Sequence, residues 1–275
     1  MKTATVKKAG HFDVEKLRQL NILLIEDDLL NRRLMSILFS QHGMKLQMAE
    51  NGIEGVEKVK AGHFDIVLMD MEMPLMNGYQ ATTIIRQELK NTIPIIAMTA
   101  HSQAGEREKC LLFGMNDHIA KPVDEDMLFS AIHKLTGLRK PFVAKTGIIR
   151  SISPAIPVDK VCNMEYLNNA TRGNEKMINS IVRTFFEQAP GELSTLAEAI
   201  KKNNYPVISG IAHKLRSSFA ILGIGLLEPV FEEMEQLGNS ASGIERIISL
   251  KGKVNAVFEQ AMEEMNMEPA DNSYY

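Results

Sequence analysis

Residues 64–78 read FDIVLMDMEMPLMNG. Ile66, Val67, Leu68 and Met69 form a continuous apolar run, as a parallel sheet covered on both faces demands. Asp70 then places a carboxylate at the end of that run, and Pro74 and Gly78 mark a loop. A lone acid at a strand end is commonly just solvated, so its meaning depends on what the rest of the chain brings to the same rim.

Working outward, residues 21–136 alternate short apolar runs with amphipathic stretches. Strands are expected at 21–26, 45–49, 65–70, 93–99 and 118–121. Helices are expected at 29–41, 53–61, 79–89, 102–113 and 125–135. Five strands alternating with five helices imply an α/β doubly wound, five-stranded parallel sheet, flavodoxin-like in order. In such sheets ligands bind beyond the carboxyl ends of the strands, where the strand order reverses.

From about residue 159 the strand signal stops. Helical periodicity runs through 164–170, 175–188, 192–202, 206–222, 226–237 and 243–265, with Gly, Asn and Pro between. That pattern implies an all-α helical bundle. The expected organisation is an N-terminal extension at 1–19, a first domain at 20–138, a linker at 139–158, a four-helix-bundle domain at 159–267 and a disordered tail at 268–275. The stretch GLRKPFVAKTGIIRSISPAIPV, 137–158, holds four basic residues, three prolines and no acid. Counting 11 basic against 16 acidic residues makes 159–275 acidic at −5.

The chain has 275 residues, 45% hydrophobic and 24% charged, which suits two domains with their own cores. A net charge of −3 argues against a nucleic-acid partner. No run reaches the ~20 apolar residues of a membrane span, and MKTATVKKAGHF lacks the apolar core of a signal peptide. The expected location is cytoplasmic. Cys110 and Cys162 sit in no CxxC or zinc spacing and read as reduced packing residues.

The strand ends converge chemically. NILLIEDD ends the first strand in Glu26, Asp27 and Asp28; IPIIAMTA ends the fourth in Thr99; HIAKPV ends the fifth in Lys121. Close carboxylates repel unless a cation neutralises them. An oxygen-ligated ion such as Mg²⁺ suits this set, since no His or Cys cluster invites a softer metal. Lys121 beside Asp70 would favour the ionised carboxylate and could hold a phosphoryl oxygen.

Over roughly residues 20–138 the motifs I-E-D-D-x-x-N, L-M-D-M-E-M-P-x-M-N-G, M-T-A and K-P-V together resemble the receiver domain of two-component response regulators. The resemblance implies that Asp70 is the phosphoacceptor and that Glu26, Asp27 and Asp70 ligate Mg²⁺, with the Glu72 backbone carbonyl. It implies further that Thr99 and Lys121 hold the phosphoryl oxygens, and that Thr99 and His118 form a switch. Asp28 stands where that family often has Asn, and caps the following helix. His118 stands where Tyr or Phe is usual. Met69, Met71, Met73 and Met76 are expected to pack.

In the second half, VISGIAHKLRSSFAILG carries Ile208, Ile211, Leu215, Phe219 and Leu222 on one stripe. His213 points about 150° from its centre and is expected to face solvent, with Arg216 and Ser217 within about 60° of it. A-H-K-L-R-S-S resembles the histidine-containing phosphotransfer (HPt) domain, over about residues 160–265, whose usual form is H-x-L-K-G-S. That resemblance implies that His213 is a phosphoacceptor, with Arg216 in place of the usual lysine as its phosphate-assisting partner and Ser217 in place of a glycine.

The expected function is a two-component phosphorelay. A sensor histidine kinase and a downstream response-regulator receiver are the expected partners, with weak Mg²⁺-dependent self-dephosphorylation. No ATP-binding glycine-rich box or P-loop appears, so no kinase domain is expected in this chain. The receiver–linker–HPt order matches the C-terminal end of hybrid sensor histidine kinases. The alternative is a scaffold in which phosphorylation only toggles binding. A haloacid-dehalogenase-type phosphatase would need a second Asp two residues after Asp70, followed by Thr or Val, where Glu72 and Met73 stand.

Overall fold

The structure, a computed structural model, describes residues 14–100, 105–137 and 160–267. The expected linker at 139–158 and tail at 268–275 lie outside these residues. The chain divides into two compact units.

The first unit is the expected parallel sheet. Strands β1 (Ile22–Ile25), β2 (Leu46–Ala49), β3 (Ile66–Asp70), β4 (Ile95–Thr99) and β5 (Asp117–Ala120) lie in the order β2-β1-β3-β4-β5. The order reverses between β1 and β3, whose register pairs Ile25 with Met69 and so sets Glu26 alongside Asp70. Every residue of β1, β3 and β4 is buried, which explains their unbroken apolar runs. Alternate residues Leu23, Ile25, Val67, Met69, Ile95 and Ala97 pack with Val56, Val59, Ala81, Ile85 and Cys110 on one face. Met71 and Met73 join that core and Met76 packs against it, so these methionines fill space as expected.

Helices α1 (Val14–Leu17), α2 (Leu29–Gln41), α3 (Gly52–Ala61), α4 (Gly78–Thr83), α5 (Glu106–Leu112) and α6 (Glu125–Leu135) alternate with these strands along the chain. α2 and α6 match the periodicity to the residue, and meet through an edge-on contact of Phe39 and Phe129 with centroids 5.4 Å apart. Larger departures from the sequence expectation occur at 79–89, at 102–113 and in the N-terminal extension. The stretch expected as one helix over 79–89 becomes a π-helical turn after Thr83, Ile84–Glu88. Within that turn Arg86 donates to the carbonyls of Gly114, Asn91 and Ile93 at 2.7–2.8 Å. Of the helix expected at 102–113, residues 102–104 lie outside the described residues; α5 starts at Glu106, behind Gly105 with its left-handed φ of +101°. The expected N-terminal extension contributes α1, with Leu17 fully buried and Arg18 Nε donating to the His42 carbonyl at 2.7 Å.

The second unit is a helical bundle of α7 (Glu165–Thr171), α8 (Glu175–Lys201), α9 (Tyr205–Ile221), α10 (Glu228–Asn239) and α11 (Ile244–Glu264). The four longer helices close a ring, α8 on α9, α9 on α10, α10 on α11 and α11 on α8. Its centre is aromatic: Phe185, Phe219 and Phe258 meet pairwise with centroids 4.9–6.2 Å apart. The two helices expected at 175–188 and 192–202 are one, with Pro190 inside. Ile181, Phe185, Ala189, Leu193, Leu196 and Ile200 form a buried stripe that continues across the proline. Packing along that stripe outweighs the lost bond to the Phe186 carbonyl, whose cost in a helix interior is about 3 kcal/mol.

Pro190→Ala should therefore stabilise the bundle, by on the order of 1–3 kcal/mol in urea unfolding. A loss of stability would show that the proline shapes the helix instead of being tolerated by it.

Candidate functional site

The candidate side chains gather in two clusters, one in each unit. The first stands on the rim where the strand order reverses. Glu26 follows β1, Asp70 ends β3, Thr99 ends β4 and Lys121 follows β5. All four are buried: Glu26 is 1% exposed, Asp70 3%, Thr99 3%, and the Lys121 side chain 6%. Lys121 Nζ lies 2.7 Å from Glu26 Oε2 and 2.9 Å from Asp70 Oδ2, bridging the two carboxylates. The backbone aligns this row, with Lys121 N donating to the Thr99 carbonyl at 2.7 Å.

The loop after Asp70 is folded back on the strand end. Glu72 N approaches Asp70 Oδ1 at 3.4 Å, and Gly78 N donates to the Met71 carbonyl at 3.1 Å. A Cβ on Gly78 would lie 2.5 Å from the Asp70 carbonyl oxygen, so only glycine lets α4 start this close. Asn77 caps that helix in a reciprocal pair: Gln80 N donates to Asn77 Oδ1 at 2.9 Å and Asn77 N to Gln80 Oε1 at 3.0 Å. The N-G-Y-Q run thus pins the loop against the backbone of Asp70.

Glu26, Asp27 and Asp70 each offer a carboxylate oxygen, all within 4.8 Å of one another. Mg²⁺ holds its oxygen ligands at about 2.0–2.1 Å, so a modest contraction of this triad fits the ion. Asp28 stands apart from it and caps α2, accepting from Asn31 N at 2.8 Å. Burial pushes the Asp70 carboxyl well above the ordinary carboxylate range; the Glu26 charge adds to that, and Lys121 only partly offsets it. Burial pulls the Lys121 ammonium down, but Asp70 and then Glu26 outweigh it and hold it firmly protonated. His118 sits on β5 opposite Ala97 and is half-buried, with its Nδ1 enclosed. The Glu72 side chain is exposed.

The second cluster lies between α9 and α10. Ile208, Leu215, Phe219 and Leu222 fill the core as the stripe requires. The expectation that His213 faces solvent is wrong: it is 6% exposed, with Arg216 at 6% and Ser217 at 7%. The single-stripe argument treats α9 as a surface helix with one covered face, whereas α8 and α10 flank it on two sides. Glu235 of α10 meets the His213 side, its Oε2 3.5 Å from His213 Nδ1 and its Oε1 3.3 Å from Arg216 Nε.

Sequence reasoning missed Glu235. A signal existed: it stands on the buried stripe Phe231, Glu235, Gly238, where helical periodicity calls for an apolar residue.

The family model of the response regulator receiver domain matches residues 22–133, and that of the Hpt domain matches residues 180–266. Hybrid signal transduction histidine kinase B of Dictyostelium discoideum is 38% identical over 141 residues, covering 46% of this chain and 7% of that protein. Sensor protein EvgS of Escherichia coli (strain K12) is 25% identical over 84% of this chain and 18% of its own length. Signal transduction histidine-protein kinase BarA of the same organism is 26% identical, covering 79% of this chain and 24% of that protein. The chain thus spans less than a quarter of each of these relatives. Among solved structures, the receiver domain of sensor histidine kinase PA1611 from Pseudomonas aeruginosa PAO1, with a magnesium ion in its active-site cleft, is 36% identical. It covers 43% of this chain and 98% of its own, with a TM-score of 0.40. The co-crystal structure of Ypd1 and the receiver domain of Ssk1 from Saccharomyces cerevisiae is 27% identical, covering 44% of this chain and 92% of the matched one, with a TM-score of 0.42. No described helix is long and apolar enough to cross a membrane.

The raised Asp70 carboxyl has a stability consequence. Its folded pKa lies above its unfolded value, so without metal the fold is favoured while Asp70 is protonated and loses that contribution as pH rises through the folded pKa. Asp70→Asn should therefore raise the melting temperature in metal-free buffer at neutral pH. The gap should shrink toward acid pH and on adding Mg²⁺. A variant less stable than wild type at neutral pH would contradict this.

Proposed function

We propose that this chain, a response regulator receiver domain followed by an Hpt domain, relays a phosphoryl group, with Asp70 as acceptor in the receiver and His213 as carrier in the bundle. The observation that carries the reading is the Asp70–Lys121–Glu26 bridge on the reversal rim: a nucleophile, a cation for phosphoryl oxygens and a carboxylate for metal, all buried and fixed.

Each residue has a task. Asp70 is held by β3 with its side chain beside Lys121, so an incoming phosphoryl group meets one fixed oxygen. Lys121 and the Thr99 hydroxyl take phosphoryl oxygens, Lys121 by charge and Thr99 by donation. Glu26, Asp27, Asp70 and the Glu72 carbonyl would hold Mg²⁺, which supplies charge neutralisation for the transferring group. Thr99 and His118 then report the phosphorylated state. In the bundle, His213 takes the group on its ring and Arg216 steadies it.

A sensor histidine kinase is the donor this reading requires, and a receiver on a downstream regulator is the onward acceptor. The relatives' names support this pairing, as does the receiver–Hpt order found in hybrid kinases. A cytoplasmic setting fits these partners. The scaffold alternative leaves His213 without a task, which favours the relay.

Asp70→Asn should abolish Mg²⁺-dependent labelling of the receiver by acetyl phosphate or a histidine kinase. Undiminished labelling of that variant would overturn the site. His213→Gln should leave receiver labelling intact but stop onward transfer to a partner receiver; transfer at the wild-type rate would reduce the chain to the scaffold. Asp27→Asn should weaken Mg²⁺ binding in a titration, and an unchanged affinity would remove Asp27 from the ligand set.

A further inference from the structure

Ser217 carries a hydroxyl that the bundle buries without a partner. It is 7% exposed, and its Oγ meets no hydrogen-bonding atom among the described residues. A hydroxyl inside a helix commonly donates back to the carbonyl four residues earlier. Thr171, Thr184 and Thr195 do this in the same bundle, at 2.7–2.8 Å. For Ser217 that carbonyl belongs to His213, and the bond is not made. An unpaired buried hydroxyl lowers stability, and alanine in its place would remove that penalty while favouring the helix. Folding therefore does not call for an oxygen at this position.

Position 217 lies one turn beyond His213 and about 40° around the helix, which sets the two Cβ atoms about 5–6 Å apart. Side chains of a helix lean toward its N-terminus, so that of Ser217 covers the turn carrying His213. The two flanks of His213 differ. On one, Ser209 Oγ donates to Asn239 Oδ1 of α10 at 3.0 Å, and Arg216 Nε lies 3.3 Å from Glu235 Oε1. The other flank carries Gly210 and Ser217, about 60° and 40° from His213. A Cβ on Gly210 would have no described neighbour within 4 Å, so this flank has room for an incoming group. Beyond it, Lys214 is engaged by Glu192 of α8 at 2.9 Å. Ser217 is thus the uncommitted donor on the open side of the histidine.

We propose that Ser217 is a further catalytic residue of the bundle, its hydroxyl donating to a phosphoryl oxygen as the group passes to and from His213. This rests on the reading of His213 as phosphoacceptor. A His213 ring nitrogen forms the N–P bond while the P–O bond of the donor acyl phosphate breaks, and that bond's electron pair stays on the donor carboxylate. Ser217 keeps its proton throughout. The phosphoryl oxygens stay charged during the step, and a hydrogen bond to a charged oxygen is about twice as strong as one between neutral groups. A hydroxyl with no competing partner breaks nothing in order to donate. Its unmet need in the unphosphorylated bundle is relieved when the group arrives.

Two full-length chains isolate the step. A His213→Gln chain, charged at Asp70 with acetyl phosphate and Mg²⁺, is the donor, and an Asp70→Asn chain is the acceptor. In the acceptor, Ser217→Ala removes the hydroxyl and Ser217→Thr keeps one. Ser217→Ala should slow the saturating rate of transfer to His213 by about tenfold. Its half-saturating donor concentration should be unchanged, and its melting temperature equal to or above that of the acceptor with serine. Ser217→Thr should retain most of the rate. An undiminished saturating rate in Ser217→Ala overturns the proposal, whatever happens to half-saturation. A slow rate with a lowered melting temperature also overturns it, by making the residue structural. A folded Ser217→Thr chain as slow as Ser217→Ala does the same; should that variant fail to fold, the alanine chain decides alone. No label on His213 in the acceptor with serine would defeat the phosphoacceptor reading itself, a result distinct from these.

Discussion

Glu26 and Asp70 stand side by side at the end of a dry sheet, and the Lys121 ammonium between them lets the fold keep both. Two carboxylates about 4 Å apart repel by on the order of 4 kcal/mol at the effective dielectric of a protein interior. Lys121, itself buried, contacts both within 2.9 Å and is held protonated by them. The three charges are interdependent: remove the lysine and two buried anions face each other, remove both acids and a buried cation is stranded. The offset is incomplete, since Asp70 remains pushed toward its neutral form. An added divalent cation would relieve that residue, so the electrostatic shortfall and the proposed Mg²⁺ requirement have one origin.

Everything that positions this bridge is backbone. Parallel pairing of β1 with β3 sets Glu26 beside Asp70, pairing of β3 with β4 brings Thr99 into line, and pairing of β4 with β5 delivers Lys121. The folded-back loop, closed by Gly78 and capped at Asn77, fixes the remaining side. Side chains held by a sheet this deeply buried have little freedom to lose when a phosphoryl group arrives. The bundle uses a similar device, with one buried carboxylate meeting an imidazole and a guanidinium across a closely packed pair of helices.

Most of the receiver was legible because parallel strands write their burial into continuous apolar runs and their chemistry into the residue that ends each run. The helices α2 and α6 were legible to the residue from periodicity. Legibility failed where tertiary packing overrode local signals. Pro190 reads as a helix break, yet a buried stripe carries α8 through it. Residues 79–89 read as one helix, but the carbonyls gathered by Arg86 accompany a π turn. His213 reads as exposed because a one-stripe analysis cannot see that α10 covers a second side of α9. Glu235 was missed for the same reason: its partners lie on another helix, 22 and 19 positions earlier in the sequence.

The central claim is that one chain carries phosphate on both an aspartate and a histidine. Phosphorus NMR of the full chain, charged by a histidine kinase in the presence of Mg²⁺, tests it directly. Two resonances are expected, a base-labile acyl phosphate that maps to Asp70 and a base-stable phosphoramidate that maps to His213. A single resonance, or label on any other residue, would contradict it.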